Sequence, residues 1–323
     1  MTPPRLLALA ALLAAVAATA AAAADLRLER DGAGQPPLIV GIGSSSMNRA
    51  APAMQKIAAE IGADYLNRGD EGSTQRDIGQ RIGSYFTPFR VRGGTIPAEG
   101  AVELVLDGDF PTLSFAIKPT EVTILGVRGT LTRNGPANRY QFDRTVPGQA
   151  VVARERVRAI PTNPDIAALR PADPGLSDKV VMLNAGKNGI LQGHPTAVMV
   201  RDLDQMIAYF DDPAHQLLIW GFFENASWEP TNEKARQVVA LNDHLKAAWP
   251  GNFLDFRGWL LSPRPWEAAR ITPTPEDLAR QRAGRMPASL FVDDAHLKPE
   301  VYAAVVNDLV RPELVRHALQ AAN

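Results

Sequence analysis

Two residues near the C-terminal end of the chain could act together as an acid–base pair. Asp293 and His296 stand three positions apart, just before a run with helical spacing. At this spacing a carboxylate can reach the imidazole Nδ1 and hold Nε2 outward as a general base. Asp294 is adjacent and competes for the same role, but the spacing favours Asp293. The simpler alternative is a solvated acidic turn that caps the final helix.

A general base of this kind needs a nucleophile, and the sequence contains no cysteine. A hydroxyl group is therefore the natural candidate. Three adjacent serines, residues 44–46, follow Gly43 directly after a short apolar run. The alternative is that these serines only cap the helix that follows, because serine is a favoured N-cap residue.

The elements that must position these side chains alternate between short apolar runs and runs with helical spacing. The sequence predicts strands over residues 38–42, 180–183, 216–220 and 253–256, and helices over residues 51–61, 74–85, 196–210, 232–249 and 299–319. This alternation predicts an α/β fold, a doubly wound parallel sheet with helices on both faces. Ligands bind beyond the carboxyl ends of the strands in such sheets. Ser45 and Asn188 each follow a predicted strand, so both should face that edge.

Residues 88–160 have a different pattern, with β-rich runs separated by glycine and proline. These runs cover residues 102–106, 113–117, 122–125 and 139–143, and a turn is predicted at residues 134–136. We therefore expect an inserted antiparallel β-rich unit over residues 88–160. The α/β domain would then comprise residues 25–87 and 161–323.

Four short blocks resemble, in their order and context, the blocks of the SGNH (GDSL-like) hydrolase family. They are Gly43-Ser44-Ser45-Ser46, residues 67–74 (NRGDEGST), Gly186-Lys187-Asn188 and Asp293-x-x-His296. The resemblance covers residues 37–84 and 178–320. It implies a flavodoxin-like α/β hydrolase fold and serine esterase activity, with the β-rich unit as an insertion.

The resemblance also implies a role for each matched residue. Ser45 would be the nucleophile, His296 the base that takes its proton, and Asp293 the carboxylate that orients the imidazole. The oxyanion hole would consist of the backbone N–H groups of Ser45 and Gly72 and the side-chain amide of Asn188. Gly69 is an alternative for the second of these donors.

The chain departs from the family pattern at two positions, because Ser44 and Gly189 stand where aspartate is common. The first departure leaves three adjacent hydroxyl groups as candidates, and the second puts the geometry of the loop at Asn188 in doubt. His194 could border the cleft, although an ordinary loop histidine is the simpler interpretation. A cluster of four aromatic residues between 220 and 228 could line an acyl or sugar pocket or belong to the core.

Composition excludes several other classes of function. The chain has 34 Lys and Arg against 35 Asp and Glu, which argues against nucleic acid as a partner. No two histidines stand at metal-ligand spacing and cysteine is absent, so neither a metal nor another cofactor is expected. Residues 1–24 read as an export signal with cleavage near Ala24, and no later apolar run predicts stable membrane insertion.

Together these observations predict an exported serine esterase, periplasmic or secreted, that hydrolyses carboxylic esters through an acyl-enzyme. Its substrate would be a small-molecule or glycan ester, with O-acetyl groups of carbohydrates as one possibility. A carbohydrate O-acetyltransferase would use the same serine chemistry with a sugar hydroxyl as acceptor. A glycan-binding module on a degenerate hydrolase fold is the alternative without turnover.

Overall fold

The computed structural model describes residues 37–82, 84, 88–107, 119–133, 139–162, 179–210 and 213–321. The predicted export signal, the predicted strand at 113–117 and the predicted turn at 134–136 lie outside the described residues. The export signal therefore stays a prediction.

The first structural unit is a parallel β-sheet of five strands. In chain order its strands are β1 (Leu38–Gly43), β2 (Asp64–Gly69), β12 (Lys179–Asn184), β13 (Leu217–Trp220) and β14 (Phe253–Leu254), and β3 to β11 belong to the second unit. The spatial order is β14-β13-β12-β1-β2. Gly43 at the end of β1 pairs in register with Gly69 of β2 and with Asn184 of β12. The carboxyl ends of these three strands therefore lie side by side.

Helices connect these strands and extend beyond the last one. They are α1 (Ser45–Glu60), α2 (Gln75–Ile82), α3 (Lys187–Leu191), α4 (Thr196–Ile207), α5 (Pro213–Gln216), α6 (Glu233–Ala248), α7 (Phe256–Leu260), α8 (Arg264–Ala268), α9 (Pro275–Arg282), α10 (Pro299–Val305) and α11 (Arg311–Ala321). A π-helical segment, Val306–Val310, joins α10 to α11.

Each face of the parallel sheet is covered by its own apolar cluster. Along β1, Ile39 packs in one cluster with α1 and the C-terminal helices, whereas Val40 packs in the other with α2, α4 and α6. On β12, Met182 and Val181 divide between the two clusters in the same way. Because successive side chains of a strand point to opposite faces, a strand buried on both sides reads as a continuous apolar run. This is why the strands were visible in the sequence.

The second unit is antiparallel and lies between β2 and β12 in the chain. Its strands are β3 (Pro88–Val91), β4 (Thr95–Ile96), β5 (Ala101–Leu106), β6 (Thr120–Ile124), β7 (Val127–Arg133), β8 (Arg139–Arg144), β9 (Val151–Val152), β10 (Val157–Arg158) and β11 (Ile160–Pro161). The main sheet has the order β10-β3-β5-β8-β7-β6-β11, and β4 pairs with β9. An apolar cluster of its own includes Phe89 and Tyr140, whose rings meet edge to face at 5.1 Å.

Several boundaries differ from the sequence-based prediction. Helix α1 begins at Ser45, not at residue 51, so the serines belong to its first turn. The strand predicted over residues 253–256 ends at Leu254, because the Asp255 side chain accepts a hydrogen bond from the Gly258 N–H and caps α7. In the α/β unit, strand β2 and the short helices α3, α5, α7, α8 and α9 were not predicted. The Thr274 capping box that starts α9 was a signal for one of them.

Among the described residues, no helix combines the length and the apolar character needed to span a bilayer. The same part of the chain holds no group of three or more His, Asp or Glu side chains arranged to bind a metal ion.

Candidate active site

Ser45 is the first residue of α1 and follows the end of β1 by two positions. Its neighbours Ser44 and Ser46 are each only 6% exposed, whereas Ser45 is partly exposed. Ser44 occupies the N-cap position but makes no side-chain capping hydrogen bond. The Ser44 side chain therefore does not cap α1. Of the three serines, only Ser45 has a partly exposed side chain, which distinguishes it from its two buried neighbours.

The turn between β1 and α1 brings Ser45 to the sheet edge because of Gly43. A Cβ on Gly43 would lie 2.8 Å from the Asn184 carbonyl oxygen and 2.9 Å from the Met47 Cβ. Only glycine allows so close an approach of strand, neighbouring strand and helix. The N-terminus of α1, which carries the positive end of the helix dipole, is thereby directed at the space beside Ser45.

The loop between α9 and α10 carries the predicted base to this serine. His296 Nε2 lies 2.8 Å from Ser45 Oγ. The loop is closed by a bridge between Phe291 and Leu297, and the Val292 N–H donates to the His296 carbonyl oxygen at 2.9 Å. The histidine is thus presented by a short, internally bonded loop.

Asp293 holds the other side of the imidazole. Its two carboxylate oxygens each lie 2.9 Å from His296 Nδ1, and Oδ1 also accepts the backbone N–H groups of Ala295 and His296 at 2.8 Å. Desolvation alone would raise the pKa of Asp293, but these hydrogen bonds outweigh it and lower the pKa to about 2. The carboxyl group is therefore ionised at neutral pH.

The charge on Asp293 determines which ring nitrogen carries the proton. An ionised carboxylate can only accept hydrogen bonds, so Nδ1 of His296 must donate to it. In the neutral imidazole, Nε2 then presents its lone pair to the Ser45 hydroxyl. This is the tautomer that a general base for Ser45 requires.

Asp294, the rival candidate, has a different set of partners. Its side chain accepts hydrogen bonds from the Ser227 N–H at 2.7 Å, the Ser227 hydroxyl at 3.0 Å and the Asn225 amide at 2.9 Å. Its carbonyl oxygen accepts the Ala226 N–H at 2.7 Å. Asp294 therefore fixes the loop after β13, and Asp293 is the residue that contacts the histidine.

The two other predicted oxyanion donors meet at the loop after β2. Asn188 Nδ2 donates to the Ser73 carbonyl oxygen at 2.9 Å, which places this amide next to Gly72. Gly72 has a φ of +78°, a left-handed conformation that favours glycine. An amide group has two N–H donors, so the bond to Ser73 leaves a second hydrogen that could stabilise an oxyanion.

Gly69, the alternative to Gly72, is engaged elsewhere. Its N–H donates to Asn67 Oδ1 at 2.9 Å. A Cβ at this position would lie 2.6 Å from the Asn48 nitrogen, so Gly69 is needed where β2 packs against α1. Gly72 is therefore the better candidate for the donor.

Gly189 has a packing reason to replace the aspartate of the family pattern. A Cβ there would lie 2.3 Å from Gln75 Oε1 and 3.2 Å from His194 Nδ1.

His194 is fully buried, its Nδ1 lies 3.0 Å from Gln75 Nε2, and burial lowers its pKa. Beside it, Arg76 forms a buried ion pair with Asp202 at 2.6 Å. His194 thus belongs to a buried polar cluster behind Asn188 and does not contact Ser45.

The aromatic cluster and His244 have structural roles. The four aromatic residues between positions 220 and 228 are buried, and Trp220, the last residue of β13, stacks on Phe256 with ring centroids 4.5 Å apart. His244 pairs with Asp204 at 2.7 Å. The side chains of His215 and His317 lie outside the described part of the structure.

Comparison of whole folds gives the following similarities. A member of the lipolytic G-D-S-L family from Veillonella parvula matches 84% of this chain and 94% of its own, with 13% identity and a TM-score of 0.43. A GDSL-like lipase from Bacteroides thetaiotaomicron matches 87% of this chain and 88% of its own, with 10% identity and a TM-score of 0.43. The SGNH-hydrolase family esterase AlinE4 matches 76% of this chain and 90% of its own, with 12% identity and a TM-score of 0.35.

No protein-family model matches the sequence, and no curated protein matches it. Because the structural similarities have low identities and TM-scores, the chemistry inferred below depends on the side-chain geometry alone. The solved structures that this chain resembles are GDSL/SGNH-family lipolytic enzymes, the family whose four sequence blocks the chain also resembles.

Proposed function

We propose that the protein is a serine hydrolase of the SGNH type, built on a doubly wound α/β sheet, that cleaves carboxylic esters through an acyl-enzyme. The observation that carries the proposal is the chain of contacts from Asp293 through His296 to Ser45, with distances of 2.9 and 2.8 Å. A hydroxyl, an imidazole and an ionised carboxylate in this order form the arrangement that activates serine for attack on a carbonyl carbon.

The first half of the reaction uses the contacts of the triad directly. His296 Nε2 takes the proton of Ser45 Oγ while Oγ forms a bond to the ester carbonyl carbon, and the carbonyl oxygen becomes an oxyanion. Asp293 stabilises the imidazolium that results. When the tetrahedral intermediate collapses, the bond to the alcohol oxygen breaks, and His296 gives its proton to the leaving alcohol.

The oxyanion is stabilised by donors that are in place before substrate arrives. These are the Ser45 N–H at the start of α1, the Gly72 N–H and the Asn188 amide. Donors fixed by the fold cost no reorganisation when the charge develops, so they stabilise the transition state more than solvent water does. In the second half of the reaction, His296 takes a proton from the water that attacks the acyl carbon. The bond from this carbon to Ser45 Oγ then breaks, His296 returns the proton to Oγ, and the carboxylic acid is released.

The finer features of the proposal concern substrate and location. We propose that the antiparallel unit recognises a large alcohol such as a glycan and that the signal predicted in residues 1–24 directs export of the enzyme. We therefore include O-acyl groups of carbohydrates among the substrates to be tested, and product analysis with added glycan would separate hydrolysis from acyl transfer.

The proposed chemistry is tested by assaying the purified protein on p-nitrophenyl acetate. Ser45→Ala and His296→Ala should each lose activity by several orders of magnitude, because either change interrupts proton transfer from the nucleophile. Ser46→Ala is the matched control, since it removes an adjacent but buried hydroxyl and should keep the activity. Activity that survives both site variants would refute the proposed site.

A further inference from the structure

Lys187 is a charged residue beside the candidate site that the proposed chemistry does not use. It is the first residue of α3 and immediately precedes Asn188, the proposed oxyanion donor. Its Nζ donates to the Ala295 carbonyl oxygen at 2.9 Å. Ala295 lies between Asp293 and His296, so this hydrogen bond ties the start of α3 to the loop that carries the base.

Adjacent residues of α3 therefore contact both loops of the site. Lys187 binds the loop of His296, and Asn188 binds the loop of Gly72 through the Ser73 carbonyl oxygen. These two hydrogen bonds link the loop of the base to the loop of the proposed oxyanion donors. A displacement of about 1 Å between such groups can lower turnover by about 100-fold.

The surroundings of Lys187 come from several elements. Its Nζ lies 4.3 Å from the centre of the Phe223 ring, a favourable position for a cation over an aromatic face. The carboxylates of Asp294 and Asp293, on the His296 loop, and of Glu224, on the loop after β13, act on its charge. Glu224 is itself bound by Arg257 at 2.7 Å.

We propose that Lys187 is a positioning residue, whose ammonium group holds the Asp293–His296 loop in register with Asn188 and thereby fixes the base relative to the oxyanion donors. The proposal rests on the function proposed above and adds a regulatory feature to it. The ammonium group donates strongly to the Ala295 carbonyl and attracts the surrounding carboxylates. A neutral amine donates more weakly and has no such attraction.

The charge of Lys187 is sensitive to pH in the neutral range. Desolvation by burial lowers its pKa to about 7, although Asp294, Glu224 and Asp293 oppose this effect. Because Asp294 and Asp293 raise this pKa, the charged form of Lys187 favours the loop that carries them. As the pH rises above about 7, the ammonium group loses its proton and this attraction, so the loop is held less tightly, although the fold as a whole no longer bears the cost of burying the charge. We therefore expect the rate of acylation of Ser45 to fall on the alkaline side of neutrality, where Asp293 is already ionised.

The experiment measures the rate at which a fluorophosphonate labels Ser45, and the steady-state kinetics on p-nitrophenyl acetate, as functions of pH. Lys187→Met keeps a similar length without charge, and Lys187→Arg keeps the charge at every pH. Lys234→Met is the matched control, because Lys234 Nζ donates to the Leu191 carbonyl oxygen at the other end of α3, at 3.2 Å, and not to the His296 loop.

We expect Lys187→Met to lower kcat by about 10- to 100-fold with little change in KM, and to abolish the alkaline fall. Lys187→Arg should recover part of the rate and show no alkaline fall either. Lys234→Met should behave as the wild type. A wild-type rate and profile in Lys187→Met would overturn the proposal, and so would an unchanged alkaline fall in that variant.

Hydrogen exchange of the wild type at residues 292–297 gives a readout independent of activity and of the folding of any variant. Corrected for intrinsic rates, protection of this segment should decrease as the pH rises above neutrality, while the segment around Leu191 should not change. Constant protection would overturn the proposal. If no wild-type serine is labelled, the proposed function fails instead, and the exchange data still decide whether Lys187 anchors the loop.

Discussion

His296 Nε2 lies 2.8 Å from Ser45 Oγ, although 251 positions separate the two residues in the chain. The contact joins the first turn of α1, at the carboxyl edge of the sheet, to the loop before α10. Nucleophile and base therefore come from opposite ends of the chain, and only the assembled α/β unit brings them together.

Asp293 should matter for orientation of the base, whereas Asp294 should not. In Asp293→Asn, the amide can donate to the imidazole and stabilise the wrong tautomer, so we expect kcat to fall by about 10²- to 10⁴-fold. Asp294→Asn removes a charge from the same loop but keeps a side chain of equal size, and its effect should be much smaller. Steady-state kinetics on both variants check this, and equal losses would contradict the assignment.

Asn188 should contribute to turnover, unlike an asparagine that only caps a helix. Asn188→Ala removes one neutral donor of the oxyanion hole, and such losses typically lower kcat by about 10² to 10³. The control is Asn232→Ala, which removes the N-cap of α6 and should cost about 1 kcal/mol of stability with no loss of kcat. An Asn188→Ala variant with unchanged kcat would remove Asn188 from the oxyanion hole.

Gly189 should resist even a small side chain. In Gly189→Ala the new methyl group would meet Gln75 Oε1 at 2.3 Å, and Gln75 is fully buried between His194 and Asp202. We expect a loss of about 1–3 kcal/mol in the free energy of unfolding, the usual cost of overpacking. Gly251→Ala is the control, because nothing lies within 4 Å of its Cβ position. Urea denaturation measures both, and equal stabilities would contradict the prediction.

Lys187 should lower the stability of the fold more at acidic than at alkaline pH. Its folded-state pKa of about 7 lies below the usual lysine value of 10.5, so between these values the unfolded chain binds more protons than the folded one. The stability contribution of the lysine therefore increases as the pH rises through this window, and the full burial penalty is present below it.

Urea denaturation of Lys187→Met and the wild type at about pH 6 and about pH 9.5 checks this sign. The quantity to compare is the free energy of unfolding of the variant minus that of the wild type. This difference should be larger at the lower pH than at the higher one. Lys234→Met should show no such dependence. A difference that is independent of pH would mean that the fold does not shift the titration of Lys187.

Strands β1 and β12 were predictable because they are buried on both faces, whereas β2, which is only partly buried and leads to Gly72, and α3, which carries Asn188, were not predicted. The continuous apolar runs of β1 and β12 and the helical spacing of α4 and α6 appear directly in the sequence. The order of the strands is a long-range property, and local periodicity does not contain it. The start of α1 was predicted too late, because the polar residues Ser46, Asn48 and Arg49 interrupt the apolar spacing of its first turns.

The site was predictable only as a set of blocks. Spacing favoured Asp293 over Asp294, but the reason for the choice is the contact of Asp294 with residues 225–227, which is tertiary. The three serines are identical in the sequence, and the difference in burial that distinguishes Ser45 from Ser44 and Ser46 is a property of the folded structure. In the sequence, Lys187 appears only as part of a block, because its role depends on the Ala295 carbonyl, which lies more than a hundred positions away in the chain.

The central claim, that Ser45 is a nucleophile activated by His296, is tested most directly by labelling with a fluorophosphonate followed by peptide mapping. The proposed mechanism predicts stoichiometric modification of Ser45 alone in the wild type and in Ser46→Ala, and none in Ser45→Ala. It also predicts labelling slower by several orders of magnitude in His296→Ala. A wild-type protein that takes up no label, or that is labelled at another residue, would contradict it.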